Sequence, residues 1–238
     1  LNTFKYVYGG GMTRKSDRTR ALLAETALRL FAEQGYEATT MRQIAAEAGV
    51  ATGNAYYHFE GKDAFVQELY VRIQEEHREA ALPRLHPGAA LGENLAEALH
   101  AGLDVMTPHH GLGGVLLRSA LPADSGLSPF SQASERPRGA AVGLMGEVAS
   151  ASKGTPGGRL GERLPHLLWL AHMGVTLFWV LDRSESQART RTLVDGLAPL
   201  LGRLLTLLRL PGAGRLADDA LDLMDRLEES PRPEGARR

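Results

Sequence analysis

An all-α fold of about nine to ten helices is predicted, from three features of the sequence. Apolar residues recur at spacings of three and four along most of the 238-residue chain. Clusters of glycine and proline cut that periodicity into helix-length pieces. No two alternating Val/Ile/Thr runs flank an Asn-Gly or Asp-Gly turn, so no sheet is expected. The composition can supply a core, with 43% hydrophobic and 23% charged residues. It also excludes several classes. The 27 glycines and 12 prolines follow no fixed period, which argues against a collagen- or mucin-like repeat. Zero cysteines exclude a disulfide scaffold, a thiolate zinc site and a cysteine nucleophile. A formal charge of −1 is too balanced for a histone-like binder, so any contact with nucleic acid must come from a local patch.

Residues 1–15 are expected to be an N-terminal tag or arm without fixed structure, with Met12 the expected native start and a real arm the other reading. From Ser16 a helical stripe of Leu23, Ala27, Leu30 and Phe31 runs to a stop at Gly35. Thr40 and Gln43 form a capping-box pair: the threonine hydroxyl accepts a backbone N–H while the glutamine reaches back. Ile44, Ala45 and Ala48 then face inward as far as Gly49. A third, very short helix covers roughly Thr52 to Phe59, and Gly61-Lys62-Asp63 opens a fourth with Phe65, Leu69 and Ile73 at spacing four. Beyond it the breakers are Pro87-Gly88, Pro108 to Gly111, Pro122 to Gly126, Gly154 to Gly158, Ser184 to Ser186 and Pro211 to Gly214. The expected domains are 16–62 and 63–229, with a frayed tail over 230–238.

Two helices joined by a tight glycine turn, the second short and polar, have the sequence shape of a helix-turn-helix. Small inward residues let the pair cross closely, and Ala45 and Ala48 supply them. Gly49 is free to take positive φ, and Val50 plugs the core. Thr52, Asn54, Tyr57 and His58 present hydrogen-bonding groups outward, and Lys62 follows as a cation for the phosphate backbone. The runs Phe31-Ala32-Glu33-Gln34-Gly35-Tyr36, Thr39 to Ala45 and Ala48 to Phe59, with Lys62, resemble the DNA-binding domain of the TetR family of one-component repressors over about residues 17 to 70. The resemblance implies a homodimer on a palindromic double-stranded operator, with a C-terminal helical domain that dimerises and binds a small ligand to release the DNA. It places phosphate contacts on Tyr56, His58, Lys62 and Thr40, and base reading on Thr52, Asn54, Ala55 and Tyr57. Gly53, Arg18 and Arg42 complete the candidate DNA-contacting set. Arg14, Lys15, Arg18 and Arg20 read either as a solvated helix start or as phosphate or minor-groove contacts. Many family members carry serine where this chain has Ala51, and losing such a cap costs about 1 kcal/mol.

The C-terminal half is read from pattern. Leu164 to Leu181 runs without Asp, Glu, Lys or Arg, at the lower edge of a membrane-spanning length. It is read as a helix buried on two sides, between its own core and a partner chain, rather than as a span. The next helix, about Gln187 to Leu210, carries Leu193, Leu197, Leu200, Leu201, Leu204, Leu205 and Leu208. These two helices are expected to form a four-helix dimer interface, with Gly174, Gly196 and Gly202 allowing close approach. The candidate ligand-binding residues are Leu103, Met106, Phe130, Met145, Trp169, His172 and Met173, and their apolar character points to a lipid-like or aromatic compound. His109-His110, placed at a loop, and His166/His172, six residues apart, make poor metal pairs. No metal, cofactor or catalytic residue is assigned, because no G-x-S-x-G, H-E-x-x-H or P-loop pattern occurs. A cytoplasmic setting is expected. The competing reading is a lipid-binding or scaffold protein on the same fold without DNA binding; retention of Thr40, Asn54, Tyr56, His58 and Lys62 favours the regulator.

Overall fold

The computed structural model describes residues 15–208, together with Asp219, Leu221, Asp222, Asp225 and Arg226. The expectations for residues 1–14, for the break at Pro211 to Gly214 and for the tail from Ser230 lie outside the described residues. Among the described residues the chain forms nine α-helices: α1 (Lys15–Gln34), α2 (Met41–Glu47), α3 (Thr52–His58), α4 (Lys62–Ala81), α5 (Leu91–Met106), α6 (His110–Ala120), α7 (Glu135–Ala151), α8 (Gly158–Leu181) and α9 (Ala188–Leu207). Two departures from expectation are local. Gly111 and Gly114 lie inside α6, so His109 sits in a 3-10 turn and His110 begins a helix instead of a loop. A parallel bridge also joins β1 (Ala89–Ala90) to β2 (Ser152–Lys153), pairing Ala89 with Ser152 and Ala90 with Lys153. Two residues per strand are too few to leave a period-two signal.

Two compact units result. One holds the described residues up to Leu69 together with Gly111–Ser134. Its core is built by the α1 stripe, where Leu23, Ala27 and Phe31 are fully buried, and by Ile44, Ala45, Phe59, Phe65 and Val66. Phe59 and Phe65 stack at 4.0 Å, and the edge of Phe31 meets Phe65 at 6.5 Å. Such aromatic pairs add about 0.5–1.5 kcal/mol beyond their area. Gln67 fastens the loop after α6, donating to the Gly126 carbonyl at 2.7 Å and to Ser134 Oγ at 2.9 Å.

The second unit comprises Tyr70–His110 and everything described from Glu135 onward. Leu95, Ala98, Leu99, Leu144, Met145, Leu168 and Trp169 lie at its centre. Helices α5 and α9 cross at two glycines. A Cβ on Gly92 would lie 2.8 Å from the Ala198 carbonyl oxygen, and one on Gly202 would lie 2.7 Å from the Gly92 nitrogen. The close approach expected of Gly202 is therefore made within the chain, whereas nothing lies within 4 Å of a Cβ on Gly174 or Gly196. Asp182 starts α9: its carboxylate accepts from the backbone and hydroxyl of Ser184 and from those of Thr190, at 2.7–2.9 Å. Asn94, fully buried, ties the β-bridge to α5 by accepting from the His86 N–H and donating to the His86 carbonyl and Ser152 Oγ.

Candidate nucleic-acid interface

The α2–turn–α3 segment forms as its chemistry requires. Thr40 Oγ1 accepts the Gln43 N–H at 3.2 Å, and the Thr40 N–H donates to Gln43 Oε1 at 2.8 Å, completing the capping box. Gly49 takes φ of 67°, a left-handed turn open to glycine at no steric cost. Val50 then returns its N–H to the Ala45 carbonyl at 2.9 Å, although its side chain is only half-buried. The N-terminus of α3 has no side-chain cap at Ala51. Three neighbours hold α3 instead. Ala55 is fully buried beneath it, Phe59 closes its C-terminus, and Arg20 of α1 donates to the His58 carbonyl at 2.6 Å.

This arrangement sorts the candidate residues. Thr52, Gly53, Asn54, Tyr56 and Tyr57 are exposed together on α3, as are Thr40 and Arg42 on α2, and His58 is half-buried. Tyr56 is 54% and Tyr57 79% exposed, a large aromatic surface for a seven-residue helix to leave in water. Arg18 is exposed on the first turn of α1. Ala55 departs from the expected base-reading set. Its buried Cβ seats α3 on the core, while Thr52, Asn54, Tyr56 and Tyr57 face outward.

Two cations do more than expected. The Arg20 guanidinium lies 4.3 Å above the Phe59 ring and pairs with Glu68 of α4 while donating to α3, so it works as a brace. Lys62 donates to the Tyr36 carbonyl at 2.8 Å and sits 4.4 Å above that ring, while the Tyr36 hydroxyl donates to Asp63. An ammonium has three donors, so Lys62 keeps capacity for a phosphate. Neither brace shows in the sequence, because each pairs residues at least 26 apart.

In the second unit, Leu103, Met106, Met145, Trp169 and His172 are buried, and Met173 packs against the same core. Phe130 is not brought to them: it is 56% exposed in the loop after α6, in the other unit. The polar character of this core was missed. His77 of α4 stacks edge-on against His172 at 5.2 Å, and its Nε2 meets the Ala98 carbonyl at 2.8 Å. Gly102 makes room for it, since a Cβ there would lie 2.9 Å from the imidazole. Burial, with some repulsion from His77, pushes His172 down to about 3, and burial also lowers His77. Both rings are thus neutral at neutral pH. The unfolded chain takes up a proton on each below about pH 6.5, while folded His172 resists it until about pH 3. Stability should therefore fall as pH drops through that window. Melting curves at pH 7 and pH 5 are expected to show a smaller acid loss in His172→Gln than in the wild type.

Among the described residues one helix, α8, is long and apolar enough to cross a membrane, and a third of its apolar stretch is buried inside the protein. Its outward face carries Leu177, Phe178 and Leu181, and α9 adds Leu200, Leu204 and Leu207, all at least 40% exposed.

The sequence model of the bacterial tetR family of regulatory proteins matches residues 23–69, and that of the tetracyclin repressor-like C-terminal domain matches residues 94–223. Among curated proteins the chain is similar to the uncharacterized HTH-type transcriptional regulator YhgD of Bacillus subtilis, at 31% identity over 90 residues, 38% of this chain and 47% of that protein. It is also similar to the HTH-type transcriptional repressor KstR2 of Rhodococcus jostii, at 47% identity over 55 residues, 23% of this chain and 26% of that protein. The chain thus spans less than half the length of these curated relatives. Among solved structures, a TetR transcriptional regulator of Nitrosomonas europaea superposes with a TM-score of 0.59 at 19% identity, covering 77% of this chain and 98% of that one. The regulator FadR of Bacillus subtilis, solved in complex with stearoyl-CoA, superposes with a TM-score of 0.58 at 17% identity, covering 75% of this chain and 97% of that one. At these identities the structural likeness is one of fold.

Proposed function

The chain belongs to the TetR family of bacterial regulatory proteins, and on that premise we propose that it is a ligand-responsive transcriptional repressor acting as a homodimer on a palindromic operator in the cytoplasm. The observation that carries this reading is the outward face of α3, where Thr52, Asn54, Tyr56 and Tyr57 stand exposed on a helix anchored from below by Ala55 and Phe59. A scaffold protein on this fold has no use for such a surface. Asn54 and Tyr57 read base edges in the major groove, while Thr40, Arg42, Tyr56, His58 and Lys62 meet phosphate. The exposed leucines of α8 and α9 pack against their copies across a two-fold axis, which fixes the spacing of the two reading helices. A small, largely apolar ligand in the second unit, against Trp169, His172 and the methionines, shifts that spacing and weakens DNA binding by about 5- to 150-fold.

Binding of the full chain to a random duplex library, followed by anisotropy across a salt series, tests this reading. Arg42→Ala and Lys62→Ala are expected to weaken binding to every duplex alike and to reduce the salt slope by about one each. Asn54→Ala should instead flatten the preference among duplexes. A wild-type protein that binds all duplexes equally, or none, would reject the proposal.

A further inference from the structure

The core of the second unit is not uniformly apolar. Among the described residues, buried side-chain polar atoms without a hydrogen-bond partner are Gln74 Oε1, His172 Nδ1, Thr176 Oγ1, Trp179 Nε1 and Gln187 Oε1. Buried polar atoms are almost always paired, and an unpaired one is destabilising, so these need a reason. Gln187 lies apart, at the start of α9.

Of the other four, three form a seam along α8, and Gln74 lies on α4, whose His77 meets His172. His172, Thr176 and Trp179 follow one another at spacings of four and three, on one face of α8. At one end of the seam, His77 of α4 meets His172. At the other, His110 Nε2 meets the Trp179 carbonyl at 2.9 Å. Gln74 lies one turn before His77 on α4. His172 and Trp179 are only 3% and 4% exposed, so their unpaired atoms are deep in the protein.

We infer that this seam is the polar wall of the effector site, and that the effector is an elongated uncharged molecule bearing hydrogen-bonding oxygens or nitrogens at both ends. The inference rests on the ligand-responsive reading above and replaces its largely apolar ligand by a specific class. Trp179 Nε1–H can only donate, so it requires an acceptor at that end. Thr176 Oγ1 serves a donor or an acceptor at mid-seam, Gln74 Oε1 accepts, and His172 Nδ1 takes whichever its tautomer allows. From His172 to Trp179 the rise along the helix is about 10 Å, which sets the spacing of the ligand's polar ends. His77, His109 and His172 are all held neutral, chiefly by burial, so these rings supply no charge to balance a buried ionic ligand. Met106, Met145 and Met173, flexible and polarizable, lie in the same core and can re-pack around a rigid body.

Two variants of matched shape, Thr176→Val and Gln74→Leu, are made in the full chain and melted without ligand. Because each removes an unpaired polar atom, the melting temperature is expected to stay or rise. A fall of several degrees in both would show that these atoms have structural partners, and would overturn the inference. Calorimetry then compares three probes of one outline: biphenyl-4,4′-diol, biphenyl and biphenyl-4,4′-dicarboxylate. The diol should bind, should bind about tenfold more weakly to Thr176→Val, and should weaken operator binding. No diol binding, or equal or tighter binding of the hydrocarbon or the dianion, overturns the ligand class. Operator binding of each protein without probe is measured alongside. If it is intact while the diol fails, only this inference falls; if the wild type lacks it, the regulator reading falls instead.

Discussion

Leu204→Glu is expected to turn a homodimer into a monomer and to abolish operator binding. Leu204 is 54% exposed in the single chain, so glutamate there disturbs little of the protomer's own core. In the proposed four-helix interface the same position is buried beside Leu200, Leu207 and the α8 residues Leu177 and Leu181. An uncompensated carboxylate in such a setting costs about 3–5 kcal/mol, or about two to four decades in the dissociation constant. Sedimentation should give a dimer for the wild type and a monomer for the variant, with unchanged far-ultraviolet dichroism. A variant that unfolds would mean that Leu204 belongs to the protomer's own core, and a wild-type monomer at micromolar concentration would remove the interface altogether.

The second large effect is expected from Gly92→Val. The added Cβ would meet the Ala198 carbonyl oxygen and the Pro199 Cα, both at 2.8 Å, and backbone cannot swing aside as a side chain does. Helices α5 and α9 would have to separate along their whole crossing, opening the core around Leu95, Ala98 and Val194. Overpacking in a core costs about 1–3 kcal/mol where side chains can yield. Here about 3 kcal/mol or more is expected, a fall of roughly 6–12 °C in melting temperature for a chain of this size. Gly143→Ala on α7, where nothing lies within 4 Å of the added atom, supplies the control. It should be neutral or stabilising by up to about 1 kcal/mol, the helix propensity gained.

What could be read in the sequence followed the range of the forces involved. The capping box of Thr40 and Gln43, the Gly49 turn and the missing cap at Ala51 each involve residues close along the chain, and each formed as expected. The α1 stripe and the apolar helices α8 and α9 were legible because burial imposes a period of 3.6. Ala55 entered the base-reading set through the family resemblance, and only packing shows that its side chain is buried. Arg20 and Lys62 looked like free cations, since no sequence spacing places one over Phe59 and the other over Tyr36. His77 was hidden in Glu75-Glu76-His77-Arg78-Glu79, a run that looks solvated. Its burial depends on Gly102 in α5, 25 residues away. The unpaired atoms of Gln74, Thr176 and Trp179 were beyond sequence reasoning altogether, because a polar atom without a partner is a property of three dimensions. Phe130, grouped by its aromatic character with the ligand-domain residues, instead stands exposed in the other unit.

The most direct test of the account is selection of DNA by the purified full chain from a random duplex library, followed by sequencing and by the stoichiometry of the selected complex. The account predicts an enriched inverted repeat with half-sites about one helical turn apart, bound by two chains, and loss of that enrichment in Asn54→Ala and Tyr57→Ala. An unenriched library, or a motif selected equally well by both variants, would contradict it.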